Sequence, residues 1–197
     1  MGENPQAGSE RDDIEGTAVR GKVFAANSGK CLETDTGICL NVGCGRIRWD
    51  GWINVDFEGA DVDADISQLP FEDNYADALA AIHVLEHFYA WEVGDLLQEW
   101  KRVLKPNGKL ILELPCMDKV VKYMINCVKD NTPMLEGFTW FAFWGDPRHK
   151  DPHMCHKWGY SLTSVKELLE KNGFKNVEFE KPNYHFPQRD MRIVGYK

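Results

Sequence analysis

Leu40-Asn41-Val42-Gly43-Cys44-Gly45 is an apolar strand running into a Gly-x-Gly turn, and it decides the reading of the chain. Glycine lets backbone N–H groups approach a ligand closely. The next strand-like run, Trp52-Ile53-Asn54-Val55-Asp56, ends on a carboxylate. A carboxylate in that place can accept both hydroxyls of a ribose. Together the two runs point to a nucleoside-containing cofactor at the carboxyl ends of parallel strands.

Outward from this stretch, strands and helices alternate. Ile38 to Val42 reads as the first strand and the run around Ile53 as the second. Val62 to Ile66 is a short third, Ala76 to His83 a buried fourth, and Lys109 to Leu114 a fifth. Val93, Leu96, Leu97, Trp100, Val103 and Leu104 recur at helical spacing, and Pro106-Asn107-Gly108 ends that helix. From Cys116 the rhythm breaks. A helix through Val120, Tyr123 and Cys127 leads into an irregular, aromatic and His-rich segment that lasts to Tyr160. Alternation then resumes. Leu162, Val165, Leu168 and Leu169 line one helix face, Ser164 and Glu167 fit a capping box, and Gly173 fits the stop. Val177-Glu178-Phe179 and Met191 to Val194 close the chain as two more strands. The pattern predicts an α/β fold on a mostly parallel sheet. Residues 1–28 are polar and read as an N-terminal arm, with 29–197 as one domain.

The chain has 197 residues and a formal net charge of −8, so its surface as a whole is not built to collect nucleic-acid phosphates. Its six cysteines are scattered, with no C-x-x-C pair, secretory signal or long apolar span. These features predict a cytoplasmic protein with free thiols, no disulfide and no membrane association.

Five motifs in order carry a family resemblance. They are Asn41-Val42-Gly43-Cys44-Gly45; Asp56; Asp65-Ile66 with Leu69-Pro70-Phe71; Ile82-His83-Val84-Leu85-Glu86-His87; and Leu104-Lys105-Pro106-Asn107-Gly108-Lys109-Leu110. The chain resembles the class I S-adenosylmethionine-dependent methyltransferases, in their small-molecule, methyltransferase type 11-like branch. The resemblance covers residues 38–114 and 161–196. It implies a Rossmann-like, seven-stranded sheet with an inserted lid after strand five, at about 116–160. It also implies S-adenosylmethionine as cofactor, held by Asn41, Gly43, Cys44, Gly45, Asp56, Asp65, Ile66 and His83. Two features depart from the pattern. Asn41 stands where the family usually has an acid, and Arg46 to Gly51 replaces most of the first crossover helix with a loop.

Methyl transfer from a sulfonium needs a nucleophile in line with the S–CH₃ bond, and positioning with water exclusion supplies much of the catalysis. His83, at the end of strand four, is the candidate catalytic or acceptor-orienting residue. Glu86 and His87 read as capping or packing residues. Trp144, His149, Trp158 and Tyr160 are the candidate acceptor-binding residues, either as walls of a lid or as a small satellite core. His149, His153, Cys155 and His156 fit no familiar ligand spacing, so no metal is expected. The Asp/Asn-Pro-Pro-aromatic run of amino-directed DNA methyltransferases is absent after strand four. The expected activity is methyl transfer to a small-molecule acceptor, such as a hydroxylated or glycosyl metabolite, and not to nucleic acid. Two other readings stay open, a non-catalytic cofactor-binding module and a protein or RNA methyltransferase.

Overall fold

The computed structural model describes residues 37–184 and 186–197. The expected N-terminal arm lies outside the described residues. Seven strands form one sheet: β1 (Cys39–Val42), β2 (Ile53–Asp56), β3 (Val62–Asp63), β4 (Ala76–Ile82), β5 (Leu104–Pro115), β6 (Lys175–Glu180) and β7 (Asp190–Tyr196). Their order is β3-β2-β1-β4-β5-β7-β6, with only β7 running antiparallel to its neighbours. This is the α/β, Rossmann-like arrangement expected from the alternating pattern. The chain leaves β1 to one side for β2 and returns on the other side as β4. The crevice beyond the carboxyl ends of β1 and β4 is therefore the topological switch point, where such sheets bind ligands.

Helix α1 (Val93–Val103) places Val93, Leu96, Leu97, Trp100 and Val103 against the sheet, the spacing of one helical face. Trp100 is fully buried, and its indole N–H donates to the Ile66 carbonyl at 2.9 Å. Helix α2 (Met117–Lys129) and the short α3 (Trp140–Trp144) lie within the insertion, and α4 (Leu162–Lys171) follows it. Leu40, Val42, Leu79, Leu110, Leu112 and Ile193 carry the main core on the α1 and α4 side of the sheet.

The opposite face is covered differently. No helix separates β1 from β2; the loop of residues 43–52 fills the gap. Trp49 from that loop stacks on Tyr184, with centroids 5.0 Å apart, and meets Trp52 edge-on at 4.8 Å. With Ala80, Ile111 and Val194 these rings form a second, smaller core. Three aromatic side chains thus do part of the sheet-covering work of a crossover helix.

Three expectations are corrected. The capping box lies at Ser161 and Ser164 rather than Ser164 and Glu167. Ser161 Oγ accepts the Ser164 N–H, and Ser164 Oγ accepts the Ser161 N–H at 2.9 Å. The helix starts earlier because the Leu162 N–H finds the Asp118 carboxylate at 2.7 Å. Strand β5 begins at Leu104, because Leu104 pairs with Ala76 and Lys109 with Ala78, leaving the Lys105–Gly108 turn as a bulge. Cys39 is disulfide-bonded, so the expectation of free thiols fails there, whereas Cys44, Cys116, Cys127 and Cys155 are free. Among the described residues, no helix is long and apolar enough to cross a membrane.

Candidate active site

The Gly-x-Gly turn sits at the carboxyl end of β1 as expected. Gly43 has φ +64° and Gly45 φ +55°, both in the region that favours glycine. A Cβ on Gly43 would strike Val84 Cγ2 at 2.6 Å, so this glycine lets β1 meet the segment after β4. A Cβ on Gly45 would meet nothing within 4 Å. That face of the turn is open to a ligand.

Asp56 stands beside it. Its carboxylate accepts the Gly45 N–H at 2.7 Å and the Phe57 N–H at 2.8 Å, one on each oxygen. The two bonds fix the carboxylate's orientation, and each oxygen keeps a lone pair for a ribose hydroxyl. Cys44 is buried; burial and the nearby Asp56 charge push its thiol pKa up. In the loop after β3, Asp65 Oδ1 accepts both the backbone N–H and the hydroxyl of Ser67, at 2.8 and 2.7 Å. Ile66 turns its side chain into the core. An open glycine face, a pre-oriented carboxylate and an exposed acidic loop fit the nucleoside end of S-adenosylmethionine.

Asn41 belongs to a hydrogen-bond network within the protein. It is buried, and its amide N–H₂ donates to Ile47 O at 3.2 Å and Asn54 Oδ1 at 2.9 Å. Asn54 in turn donates its backbone N–H and amide to Asp61 Oδ2, at 2.9 and 2.7 Å, holding the Asp61 pKa below the usual carboxylate range. Through its amide nitrogen Asn41 therefore anchors the shortened loop.

His83 follows β4 in a left-handed conformation, φ +55°, uncommon for a non-glycine. Its N–H is fixed to Glu113 O at 2.7 Å. Its ring Nδ1–H donates to Glu86 Oε1 at 2.9 Å and its Nε2–H to Asp190 Oδ2 at 3.1 Å. Burial would pull its pKa down, but the two carboxylates outweigh burial and raise it to about 9. Both carboxylates are correspondingly held low against their own burial. Glu86 is at about 2, chiefly through His83, and Asp190 is held low by His83 and Arg189. Sequence reasoning missed Asp190 and Arg189. They lie 107 residues from His83 along the chain, and only the antiparallel return of β7 beside β5 brings them there.

The insertion docks at the same end of the sheet. The Lys157 N–H donates to Glu86 O at 2.7 Å, Met117 N–H donates to Tyr160 O at 2.9 Å, and His87 Nδ1 bonds Cys155 O at 3.3 Å. At its far edge the segment reaches β2, where the His153 and Phe57 rings lie 6.3 Å apart. The expected acceptor residues divide. Trp144 and Trp158 are 69% and 51% exposed and His149 is exposed, whereas Tyr160 is 4% exposed and packs in the main core. Burial, with the Glu86 charge, pushes the Tyr160 phenol pKa well up.

Residues 40–112 match the methyltransferase domain family. The fold is shared with solved structures of low identity. An S-adenosylmethionine-dependent methyltransferase from Archaeoglobus fulgidus is 18% identical, with 82% of this chain and 86% of that one covered and a TM-score of 0.56. One from Methanosarcina mazei is 16% identical, with 85% and 94% covered and a TM-score of 0.58. The 1,6-didemethyltoxoflavin-N1-methyltransferase of Burkholderia thailandensis, solved with 1,6-didemethyltoxoflavin and S-adenosylhomocysteine, is 13% identical, with 82% and 71% covered and a TM-score of 0.56. No curated protein matches the chain.

Proposed function

We propose that this chain, a class I S-adenosylmethionine-dependent methyltransferase, passes the methyl group to a small-molecule acceptor under the 140–160 segment. The observation that carries the proposal is the span of that segment. It is bonded to the turn after β4 at Glu86 and reaches Phe57, the residue after Asp56. A molecule beneath it lies next to the cofactor seat.

When bound, the cofactor supplies an electrophilic sulfonium methyl group. Asp56 takes the ribose hydroxyls, the Gly43–Gly45 turn lets the ligand approach β1, and Asp65 borders the adenine. Trp144, Trp158 and His149 lie on the segment's exposed surface, available to an acceptor. His83 is a positioning residue. Carboxylates from two elements hold both its nitrogens, so it sets the turn carrying Glu86 and His87 rather than touching the acceptor. Hydroxylated and glycosyl metabolites are the acceptor class, because aromatic walls with polar tips suit sugar rings. The turned-in Asn41 favours one second reading. Without a strand-one acid for the cofactor's amino group, the chain would be a non-catalytic cofactor-binding module.

Incubation with methyl-labelled S-adenosylmethionine and a panel of hydroxylated and glycosyl metabolites separates the two. Label in a small-molecule product is the expected result. Binding of S-adenosylhomocysteine with no label transferred to any acceptor would favour the module. The Trp158→Ala variant is expected to raise acceptor KM several-fold, with little change in cofactor affinity.

A further inference from the structure

Glu86, His87 and His156 each place one ligand-capable atom within 4.8 Å of the other two. We propose that these three side chains bind one divalent first-row transition metal ion, zinc being the expected occupant, and that the ion clips the 140–160 segment to the turn after β4. None of the readings above uses this site, and the sequence spacing spoke against a metal.

The orphaned oxygen is the first argument. Glu86 is 2% exposed, and its Oε2 has no hydrogen-bond partner. Leaving a buried carboxylate oxygen unsatisfied is costly. A metal bond would satisfy it. Tyr160 Oη, the neighbour whose phenol feels the Glu86 charge, is likewise buried without a partner.

The second argument is that each ligand is already held from behind. His83 Nδ1–H donates to Glu86 Oε1 at 2.9 Å, which fixes the carboxylate's orientation. His156 Nδ1–H donates to Ala142 O at 2.9 Å, and His87 Nδ1–H to Cys155 O at 3.3 Å. Carbonyl acceptors on Nδ1 fix the tautomer that leaves each Nε2 with a lone pair. This is the usual support for metal-bound imidazoles. His156 Nε2 lies 4.0 Å from Glu86 Oε1, and the two imidazole rings meet edge-on with centroids 4.9 Å apart.

Two imidazoles and one carboxylate suit zinc and its borderline neighbours rather than calcium or magnesium. Metal–ligand bonds of about 2.0–2.2 Å put tetrahedral ligands about 3.4 Å apart, so atoms within 4.8 Å of one another would draw together by up to about 1.4 Å on loading. Three protein ligands leave one position open. One carboxylate against a dication leaves net positive charge there, which suits water or an ionisable oxygen of the acceptor.

The test is metal stoichiometry, which needs neither methyl donor nor acceptor. It therefore stands or falls apart from the methyl-transfer reading. The full chain is stripped with chelator, reloaded with Zn²⁺, freed of excess and analysed for metal. Co²⁺ loading supplies a visible absorption band as a report on coordination. One equivalent of zinc is expected. His87→Gln and His156→Gln should each weaken binding by about 100-fold or more, exceeding the 10–100-fold typical of an outer-shell loss. His149→Gln should leave binding unchanged. The His87 imidazole bond is exposed whereas that of His156 is partly buried, so the His87 variant carries the test should His156→Gln fold poorly. Substoichiometric zinc in the folded wild type, or full retention by His87→Gln, would overturn the site.

Discussion

Replacing Trp100 by Ala is expected to remove about 3–5 kcal/mol of stability, the usual cost of deleting a fully buried indole. Trp100 is the largest fully buried side chain, and it joins α1 to the sheet core. The change also strips the Ile66 carbonyl, in the loop after β3, of its 2.9 Å partner. Domains of this size are stable by about 5–15 kcal/mol, so the variant loses a large fraction of its margin. At roughly 2–4 °C per kcal/mol, the melting temperature should fall by about 6–20 °C. Thermal unfolding followed by circular dichroism reads this directly. A shift of only a degree or two would show that the helix–sheet packing described here is wrong. Trp100→Phe keeps most of the ring volume and should cost clearly less.

Asp56→Ala is expected to weaken binding of S-adenosylhomocysteine by about 10²–10⁴-fold. The estimate follows from two hydrogen bonds to a carboxylate, each worth roughly 1.5–3 kcal/mol. The variant should still fold, because Asp56 is half-exposed at a strand end. It does lose the acceptor for the Gly45 and Phe57 N–H groups, so some turn rigidity goes with the ribose contacts. Calorimetric titration gives the affinity. A folded Asp56→Ala with wild-type affinity would remove the ribose role. Asp56→Asn retains acceptor oxygen without the charge, and should fall between the two.

The parts of the fold legible in the sequence are those encoded locally. A buried strand next to a Gly-x-Gly turn announces β1, and the spacing of Val93, Leu96, Leu97, Trp100 and Val103 announces α1. The absence of a helix between β1 and β2 was also readable, because twelve residues from Gly45 to Asp56 leave too little chain for a strand and a crossover helix. Side-chain orientation was not readable in the same way. Asn41 sits at the family position for a cofactor contact, yet Asn54 and Asp61, from the following strand and loop, turn it inward.

The polar cluster under the insertion was the least legible feature. Its members come from the turn after β4, the end of the insertion and the start of β7, so no spacing links Glu86, His156 and Asp190. His149 and His153 gave the segment its metal-like look, yet neither belongs to the set that converges. The signals present were weak ones. Glu86 stands inside an apolar run, and Arg189-Asp190 opens a strand that is otherwise buried. Charged residues at such places need partners, but the sequence does not say which.

A crystal structure of the full chain with S-adenosylhomocysteine tests the central claim most directly. The account predicts the ribose hydroxyls within hydrogen-bond distance of both Asp56 oxygens, with the ligand against the open face of Gly45. It also predicts the homocysteine sulfur pointing beneath the 140–160 segment. A nucleoside bound away from the ends of β1 and β2, or a sulfur facing away from that segment, would contradict it.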